Sequence, residues 1–342
     1  MNLMRENQSL NELKARVLMS MDVMLRETRP DVLLVQGDTT TAFAAAMAAF
    51  NNRIPVAHVE AGLRSYDYQN PFPEEANRRL TSIITDIHLA PTPLAQQNLH
   101  NEGVQEDRIV VTGNTVVDAL MTLGNVALNQ EYQSLSKIPF DGHRMVLVTS
   151  HRRESWGNDL HNICLALRDL VKAFPDVIVV YPVHMNPNVR RTVMATLQDA
   201  DRIFLVEPLD YMTFIGLMQK AYVILTDSGG VQEEAPTFRK PLLVLRNVTE
   251  RPEAFQAGLS KVIGTSRDVI FREASHLLTD ESAYRSMSSG ANPYGDGKAA
   301  ERIAETLQNW WYGRNPLLQP DRMFQPLSHP HRSSRQVGVA AE

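Results

Sequence analysis

The chain has 342 residues, of which 43% are hydrophobic and 21% are charged, with a formal net charge of −5 and a single cysteine. This length is enough for two domains with separate cores. The acidic balance excludes a chain-wide attraction to nucleic acid or to anionic membranes, so an anion site must be built from local cationic groups. A single cysteine excludes a disulfide framework and a cysteine-based metal site.

The N-terminal segment carries mixed charge and has no apolar stretch of the kind found in signal peptides. No apolar run in the chain approaches the length of a membrane span. We therefore expect a cytoplasmic protein with no nucleic-acid partner and no membrane partner.

Apolar strand-like runs alternate with helical patterns along most of the chain, after an amphipathic helical segment at 10–27. The first predicted strands are residues 31–38, 54–60, 87–92 and 108–114. After a polar stretch at about 125–144, further strands are predicted at 144–151, 176–184, 202–208, 222–230, 241–247 and 259–265. Continuous apolar strands separated by helices are typical of parallel sheets that are buried on both faces.

The sequence therefore predicts an α/β protein with two doubly wound, Rossmann-like domains that face a cleft. The predicted parts are an N-terminal domain (1–140), a C-terminal domain (141–297), a helix that packs back on the N-terminal domain (298–314) and a tail without a fixed fold (315–342). In such sheets ligands bind beyond the carboxyl ends of the strands, so we expect the site in the cleft between the domains.

The motif "TDSGGVQEE" follows a predicted strand and opens a predicted helix. Gly229 and Gly230 allow a ligand to approach the backbone, the helix start presents free N–H groups, and Ser228 adds a hydroxyl. This turn suits a phosphate or diphosphate, and Glu233 or Glu234 could accept hydrogen bonds from a ribose diol. A plain glycine-rich turn with a serine N-cap is an equally good interpretation of the spacing alone.

Cationic residues follow two other predicted strands in the C-terminal domain. Arg251 lies on a loop after a strand, and "SHRRESWG" places His151 and Arg152 just past another strand. An arginine fork matches phosphate oxygens, so Arg251 is a candidate diphosphate clamp, with a plain surface arginine as the alternative. The histidine–arginine cluster is expected to face the cleft, with a helix-capping cluster as its alternative.

The N-terminal domain supplies carboxylates at or near predicted strand ends: Asp38, Glu60, Glu74 and Glu75. Carboxylates repel a phosphate, so beside an anion site they suit proton transfer or the binding of sugar hydroxyls. Helix capping and an exposed helix face are the structural alternatives. The chain has no HExxH, no GxGxxG and no Gly-Lys-Ser/Thr loop, so we expect neither a metal nor another cofactor.

A series of long motifs, in chain order, resembles the non-hydrolysing UDP-N-acetylglucosamine 2-epimerase family: GDTTT, HVEAGLRS, PFPEEANRRLT, GNTVVDAL, SHRRESWG, YPVHMNPNVR, TDSGGVQEEAP, TERPEA and NPYGDGKA. They extend from about Asp31 to Glu301. The resemblance implies a two-domain fold of the glycosyltransferase-B type, with UDP held mainly by the C-terminal domain, and it requires no redox cofactor.

The resemblance also implies the reaction, which interconverts UDP-N-acetylglucosamine (UDP-GlcNAc) and UDP-N-acetylmannosamine (UDP-ManNAc). UDP leaves by anti elimination to give 2-acetamidoglucal and adds back after a proton has returned to the other face of carbon 2. Cationic groups would stabilise the UDP oxygens, while carboxylates take and give protons. The product would supply surface polysaccharide synthesis, and the resemblance implies a homodimer.

The resemblance assigns roles to single residues. The catalytic residues it implies are Asp38, Glu60, Glu74 and His151. The UDP-binding residues it implies are Arg251, Ser228, Gly229, Gly230, Glu234 and Phe214, the last beside the uracil. In some bacterial members the motifs that contain His184 and Arg152 line a second, regulatory UDP-GlcNAc site. Leu209 stands where a polar contact to the nucleobase is expected.

The chain departs from the family at its start. Family members open with a strand and a GTRPE-like loop, followed by a second strand and a helix, whereas 30 residues here precede the first predicted strand. We therefore expect an N-terminal sheet that lacks two strands, including a central one, and that exposes an unpaired edge. The alternative to an active epimerase is a catalytically impaired UDP-binding remnant. A hydrolysing epimerase and a glycosyltransferase are further alternatives.

Overall fold

The computed structural model of the chain describes residues 3, 5, 8–128, 135–152 and 155–326. The N-terminal elements are α1 (Leu10–Thr28), β1 (Leu33–Gln36), α2 (Thr40–Asn51), β2 (Val56–Val59), α3 (Glu74–Ile83), β3 (Ile87–Ala90), α4 (Pro93–Asn101), β4 (Ile109–Val111) and α5 (Thr115–Leu128). Next come β5 (Arg144–Thr149), α6 (Asn158–Ala173), β6 (Val177–Pro182), α7 (Pro187–Leu197), β7 (Ile203–Val206), α8 (Tyr211–Lys220), β8 (Val223–Thr226) and α9 (Gly229–Glu234). The last are β9 (Leu242–Val244), α10 (Pro252–Gln256), β10 (Ser260–Val262), α11 (Arg267–Thr279), α12 (Glu281–Ser288) and α13 (Ala299–Trp311). None of the described helices is long and apolar enough to cross a lipid bilayer.

The N-terminal sheet is parallel, with strand order β1-β2-β3-β4. Sequential strands with right-handed crossovers put their connecting helices on one face, and α1, α2 and α4 pack there. The other face needs a different cover because no crossover helix reaches it. Helix α13 supplies that cover, since Ile303 packs in one cluster with Ala57, Leu89 and Val110 of the strands.

Strand β1 forms an edge of this sheet. Within the described residues it pairs with β2 alone, and Leu34 is 45% exposed although its register partner Ala57 is fully buried. The residues of β2, β3 and β4 are buried throughout. The N-terminal sheet of the described residues therefore has four strands with an exposed edge at β1, and the loss of a central strand stays a prediction.

The C-terminal sheet is also parallel and has the strand order β7-β6-β5-β8-β9-β10. A cluster of buried apolar side chains lies on each face of this sheet, where helices pack against it. The strands are therefore apolar on both faces. The order reverses between β5 and β8, whose residues Thr149 and Thr226 lie side by side. In a doubly wound sheet this reversal opens a crevice at the carboxyl ends of the strands, where ligands bind.

Helix α5 differs from the predicted domain boundary. The predicted N-terminal domain extends to residue 140, but Leu120 and Ala127 pack with Met145 and Ile215 in the core of the C-terminal domain. An amphipathic helix buries its apolar face against the nearest core. The sequence pattern predicts that face but does not predict which of the two domains will cover it. The N-terminal end of α13 then accepts a cap from α5, because Asp118 binds the N–H groups of Ala299 (3.1 Å) and Ala300 (2.8 Å).

Residues 315–326 were predicted to lack a fixed fold, but they pack against the N-terminal domain. Leu318 is fully buried, Phe324 is 4% exposed, and the N–H of Phe324 donates to the carbonyl of Val111 at 2.9 Å. The guanidinium of Arg302 holds the segment from α13 by donating to the carbonyl of Arg322. The polar composition misled the prediction because two apolar side chains suffice to anchor a short segment. Residues 327–342 of the predicted tail lie outside the described residues.

The docked segment should contribute measurably to stability. Substituting the fully buried Leu318 with Ala should lower the free energy of unfolding by about 2–5 kcal/mol, because it removes apolar contacts and leaves a cavity. Urea unfolding followed by circular dichroism would measure the loss. The control is Gln319→Ala at the next, exposed position, where we expect a change of less than about 0.5 kcal/mol. Equal effects of the two substitutions would contradict the docking.

Candidate active site

The carboxyl ends of β5 and β8 meet at the reversal of the C-terminal sheet, and Asp227 ties them together. Its fully buried carboxylate accepts hydrogen bonds from the Ser150 hydroxyl (2.9 Å) and from the N–H groups of His151 (2.8 Å) and Arg152 (2.9 Å). Its other oxygen lies 3.6 Å from Nδ1 of the His151 ring. A buried carboxylate with these donors fixes the loop after β5, and with it the position of the imidazole.

The two predicted functional histidines lie against each other. The rings of His151 and His184 stack with centroids 5.1 Å apart and an interplanar angle of 11°. His184 follows β6, the strand next to β5, so neighbouring parallel strands bring the two rings to the same edge. The predicted catalytic group and the predicted regulatory group are therefore in direct contact.

The two glycines in the turn at the start of α9 differ in how much space surrounds them. A Cβ on Gly229 would lie 2.5 Å from Nη1 of Arg251, so only glycine leaves room for the guanidinium against this turn. A Cβ on Gly230 would meet nothing closer than the Ser228 hydroxyl at 4.0 Å. The first glycine therefore admits Arg251, while the second leaves its side of the turn open.

The guanidinium of Arg251 contacts three carboxylates. Its Nε donates to Glu233 at 2.7 Å, Nη1 pairs with Glu250, and Nη2 lies 3.5 Å from Glu60. Glu233 and Glu250 belong to the C-terminal domain, whereas Glu60 follows β2 of the N-terminal domain. Arg251 is 8% exposed, so this is a nearly buried ionic cluster that joins the two domains across the cleft.

Glu60 has an unusual backbone and an unusual carboxyl group. Its φ of 65° lies in the left-handed region, which costs energy for a residue other than glycine. Burial, followed by the charge of Glu233, raises the pKa of Glu60 to about 8, against the opposing effect of Arg251. The carboxyl of Glu60 is therefore protonated near neutral pH.

Asp38 belongs to a second arginine–carboxylate network, on the N-terminal side of the cleft. Arg78 of α3 pairs with Asp38 through Nη2 and donates to Glu75 through Nη1 at 2.9 Å. Glu75 also accepts from the N–H groups of Ser65 (2.9 Å) and Tyr66 (3.2 Å). This network fixes the loop after β1 and the start of α3 relative to each other. The predicted catalytic Glu74 lies beside Glu75 in the first turn of α3 and is half-buried.

Glu234 and Phe214 lie on the other side of the α9 turn. The hydroxyl of Tyr211 in α8 donates to Glu234 at 3.1 Å, and burial raises the pKa of Glu234 to about 7. Phe214, one turn further along α8, is partly buried and packs against the C-terminal core, as does Leu209. Helix α8 thus presents the Tyr211 hydroxyl and the Phe214 ring, and α9 presents the Glu234 carboxyl that Tyr211 binds.

Three residues of the arginine–carboxylate networks are not among the predicted site residues: Arg78, Asn114 and Glu250. Arg78 and Glu75 have the i, i+3 spacing of a helical ion pair, which was a usable signal. Asn114 donates to Glu233 at 2.7 Å across the domains, and no local pattern marks such a contact. Glu250 precedes Arg251 directly, a spacing that does not predict a shared ion pair.

Comparisons with known proteins agree on one family. A family model described as UDP-N-acetylglucosamine 2-epimerase matches residues 1–308. The UDP-N-acetylglucosamine 2-epimerase of Escherichia coli (strain K12) is 47% identical over 314 residues, which cover 90% of this chain and 84% of that protein. A crystal structure of UDP-GlcNAc 2-epimerase from Neisseria meningitidis bound to UDP-GlcNAc has 44% identity and a TM-score of 0.87, with 90% of this chain and 84% of that one covered. The enzyme from Methanocaldococcus jannaschii in complex with UDP-GlcNAc and UDP has 34% identity and a TM-score of 0.78, with 88% and 82% covered.

The protonated state of Glu60 should appear in the pH dependence of stability. An ordinary glutamate in the unfolded chain ionises from about pH 4.5, whereas folded Glu60 keeps its proton up to about pH 8. Between these values the folded state binds more protons than the unfolded state, so this group lowers the stability of the protein as the pH rises. Glu60→Gln removes the titration, so the variant should gain stability relative to the parent protein from pH 5 to pH 8.

Urea unfolding of both proteins at several pH values would measure this trend. The matched control is Glu281→Gln on α12, where the carboxylate is 75% exposed. For this control we expect a difference from the parent protein that does not grow with pH. A pH-independent difference for Glu60→Gln would contradict the protonated carboxyl.

Proposed function

The chain belongs to the UDP-N-acetylglucosamine 2-epimerase family, and from that premise we propose that it interconverts UDP-GlcNAc and UDP-ManNAc by inverting carbon 2 of the sugar. The observation that carries the proposal is the position of Arg251. Its guanidinium rests on the glycine-rich turn and reaches Glu60 across the cleft at 3.5 Å. A diphosphate-binding cation beside a protonated carboxyl is what departure of UDP with transfer of a proton requires.

UDP binding is assigned to the C-terminal domain. The turn of Ser228, Gly229 and Gly230 offers N–H groups and a hydroxyl, and Arg251 adds positive charge for the diphosphate. Glu234, held by Tyr211, would accept hydrogen bonds from the ribose hydroxyls. The ring of Phe214 would lie beside the uracil. Two similar enzymes were solved with UDP-GlcNAc or UDP bound, which supports a nucleotide sugar as the ligand.

The reaction is an elimination followed by re-addition. A carboxylate takes the proton from carbon 2, the electrons of that bond form a double bond between carbons 1 and 2, and the bond from carbon 1 to the phosphate oxygen breaks with its electrons leaving on UDP. A proton then returns to the opposite face of carbon 2, and UDP adds back to carbon 1. Asp38, Glu60 and Glu74 are the proposed proton carriers, and His151, fixed by Asp227, stabilises the departing diphosphate.

The same proposal covers the biological role and a second ligand site. UDP-ManNAc would be consumed by surface polysaccharide synthesis. His184 and Arg152 would bind a regulatory UDP-GlcNAc. The stacking of His184 on His151 supports such a role, because a ligand that moves His184 also moves a group assigned to the reaction.

We also propose a homodimer that forms through α3 of the N-terminal domain. This helix has an inverted pattern of burial, since the residues it buries are polar or charged: Glu75, Asn77, Arg78, Thr81 and Ser82. Its apolar residues Leu80 and Ile83 face outward, 44% and 79% exposed, and Phe72 just before the helix is 61% exposed. Exposed large apolar side chains on one element are typical of a protein interface, and a second copy of the chain is the partner that we assign to it.

Proton NMR of the protein with UDP-GlcNAc in D₂O tests the proposed reaction. We expect deuterium at carbon 2 together with UDP-ManNAc. Arg251→Ala and His151→Ala should each slow the exchange about 10²-fold, or about 3 kcal/mol for one preorganised group. Arg267→Ala is the control, because that arginine pairs with Asp169 on the surface and should leave the rate unchanged.

Other outcomes of this experiment would exclude the proposal. Free N-acetylmannosamine with UDP would indicate a hydrolysing epimerase. Binding of UDP without any deuterium exchange would indicate a nucleotide-binding protein that does not turn over. If both the Arg251 and the His151 variants exchanged deuterium at the parental rate, neither residue would take part in the reaction.

The proposed dimer interface can be tested by introducing charge into it. Ile83→Asp should convert a dimer into a monomer, because a carboxylate buried in an apolar interface without a partner is strongly unfavourable. Light scattering coupled to size-exclusion chromatography would measure the mass. Val23→Asp, which changes a 55% exposed apolar residue on α1, is the matched control and should stay dimeric. A monomeric parent protein, or dissociation only of the Val23 variant, would refute the α3 interface.

A further inference from the structure

Glu233 is nearly inaccessible, at 4% exposure, and the proposed reaction leaves it without a role. Both of its carboxylate oxygens accept short hydrogen bonds. Oε1 accepts from Nε of Arg251 at 2.7 Å, and Oε2 accepts from the side-chain amide of Asn114 at 2.7 Å. A carboxyl group with a donor on each oxygen is suited to the ionised state, since neither donor can accept a proton from it. Burial raises the pKa of Glu233, as it does that of Glu60, while the charge and the hydrogen bond of Arg251 oppose the shift at Glu233.

The charges around Arg251 do not balance. One guanidinium faces Glu60, Glu233 and Glu250. Glu250 has a second cation, because Arg246 donates to it at 3.0 Å, and although burial opposes ionisation the two arginines lower the pKa of Glu250 to about 2. Arg251 is therefore the one cation in contact with both Glu60 and Glu233 among the described residues, and its single positive charge is partly neutralised by Glu250. Glu233 is buried and the side chain of Glu60 is 17% exposed, and two carboxylates in that position cannot both ionise without an electrostatic cost, so one of them holds a proton.

The hydrogen bonds decide where that proton lies. Among the described residues Glu233 has two close donors, whereas Glu60 has the Nη2 group of Arg251 at 3.5 Å. The other charged groups that face Glu60 are Asp38 and Arg78, and these are paired with each other. We propose that Glu233 is a positioning residue that orients Arg251 and, as the ionised member of the pair, keeps the exchangeable proton on Glu60. The role of Glu233 in catalysis rests on the proposed epimerase reaction, in which Glu60 is one of the proton carriers.

The contact with Asn114 links this arrangement to the hinge between the domains. Asn114 follows β4, and its N–H donates to the carbonyl of Tyr294 at 2.7 Å, where the chain returns toward the N-terminal domain. The hydroxyl of Tyr294 in turn donates to the carbonyl of Arg251 at 3.1 Å. Glu233 is therefore held at the hinge while the guanidinium it orients points across the cleft. Opening the domains would separate Arg251 from Glu60 but leave Arg251 with Glu233.

The test follows the titration of Glu60 by carbon-13 NMR of the full chain labelled at glutamate carboxyl groups, with Glu60→Gln identifying its signal. In the parent protein we expect a midpoint of about pH 8. In Glu233→Gln the midpoint should fall by about one pH unit or more, since the neighbouring negative charge is gone. Glu281→Gln is the control, because it removes an exposed carboxylate on α12 that pairs with Arg285 and not with Arg251. In this variant the Glu60 midpoint should stay near the parental one.

A second variant covers the case in which Glu233→Gln does not fold. Asn114→Ala removes one donor from Glu233, makes protonation of Glu233 easier, and should shift the Glu60 midpoint in the same direction by a smaller amount. An unchanged Glu60 midpoint in a folded Glu233→Gln variant, or in Asn114→Ala, would overturn the inference.

The activity assay separates this inference from the proposed function. If the parent protein exchanges deuterium, the pH profile of kcat/KM should shift with the Glu60 midpoint in Glu233→Gln. If the midpoint shifts but the parent protein exchanges no deuterium, the placement of the proton stands and the epimerase reaction fails. A pH profile that stays fixed while the midpoint moves would refute the role of Glu233 in the reaction.

Discussion

The guanidinium of Arg251 is the group on which the two halves of the site depend. It is buried among carboxylates from both domains, with Glu60 on one side of the cleft and Glu233 and Glu250 on the other. In a region of low dielectric, one positive charge does not compensate three negative charges, so the cluster requires a second arginine and a bound proton. Arg246 is that second arginine, and Glu60 holds the proton. The charge imbalance that makes this cluster costly therefore also supplies a proton donor inside the cleft.

This cluster exists because of the way the chain passes between the domains. The chain leaves the N-terminal domain after β4 and returns to it before α13, and the two crossings touch: a Cβ on Gly113 would lie 3.4 Å from the Cα of Gly295. Helix α5 joins the C-terminal core after the first crossing, and its Asp118 caps α13 after the second. The hinge thus lies beside Asn114, which binds Glu233. The geometry of the hinge and the geometry of the ionic cluster are set by the same residues.

Predictions from local pattern were reliable where the physical cause is local. Continuous apolar runs predicted two parallel sheets, and the structure has both. The glycine pair after β8 predicted a turn with an open backbone, and the structure leaves Gly230 open but places Arg251 against Gly229. The prediction for residues 315–326 was wrong because burial of Leu318 and Phe324 depends on a sheet face built by residues 57–111. The domain boundary was misplaced for a similar reason. An amphipathic helix such as α5 shows that it has an apolar face, and not which core will cover it.

The sequence by itself determined the fold class and most of the side chains gathered at the cleft. Parallel strands bring their carboxyl ends to one edge, so residues that follow strands, such as Asp38, Glu60 and His151, could be selected before any coordinates were known. Only the tertiary structure decided how the charges pair. Arg78 and Asp38 are 40 positions apart, and Arg251 and Glu60 belong to different domains. The choice of partner, and with it the proton on Glu60, follows from distances between elements and from burial, and neither is encoded in the spacing of residues along the chain.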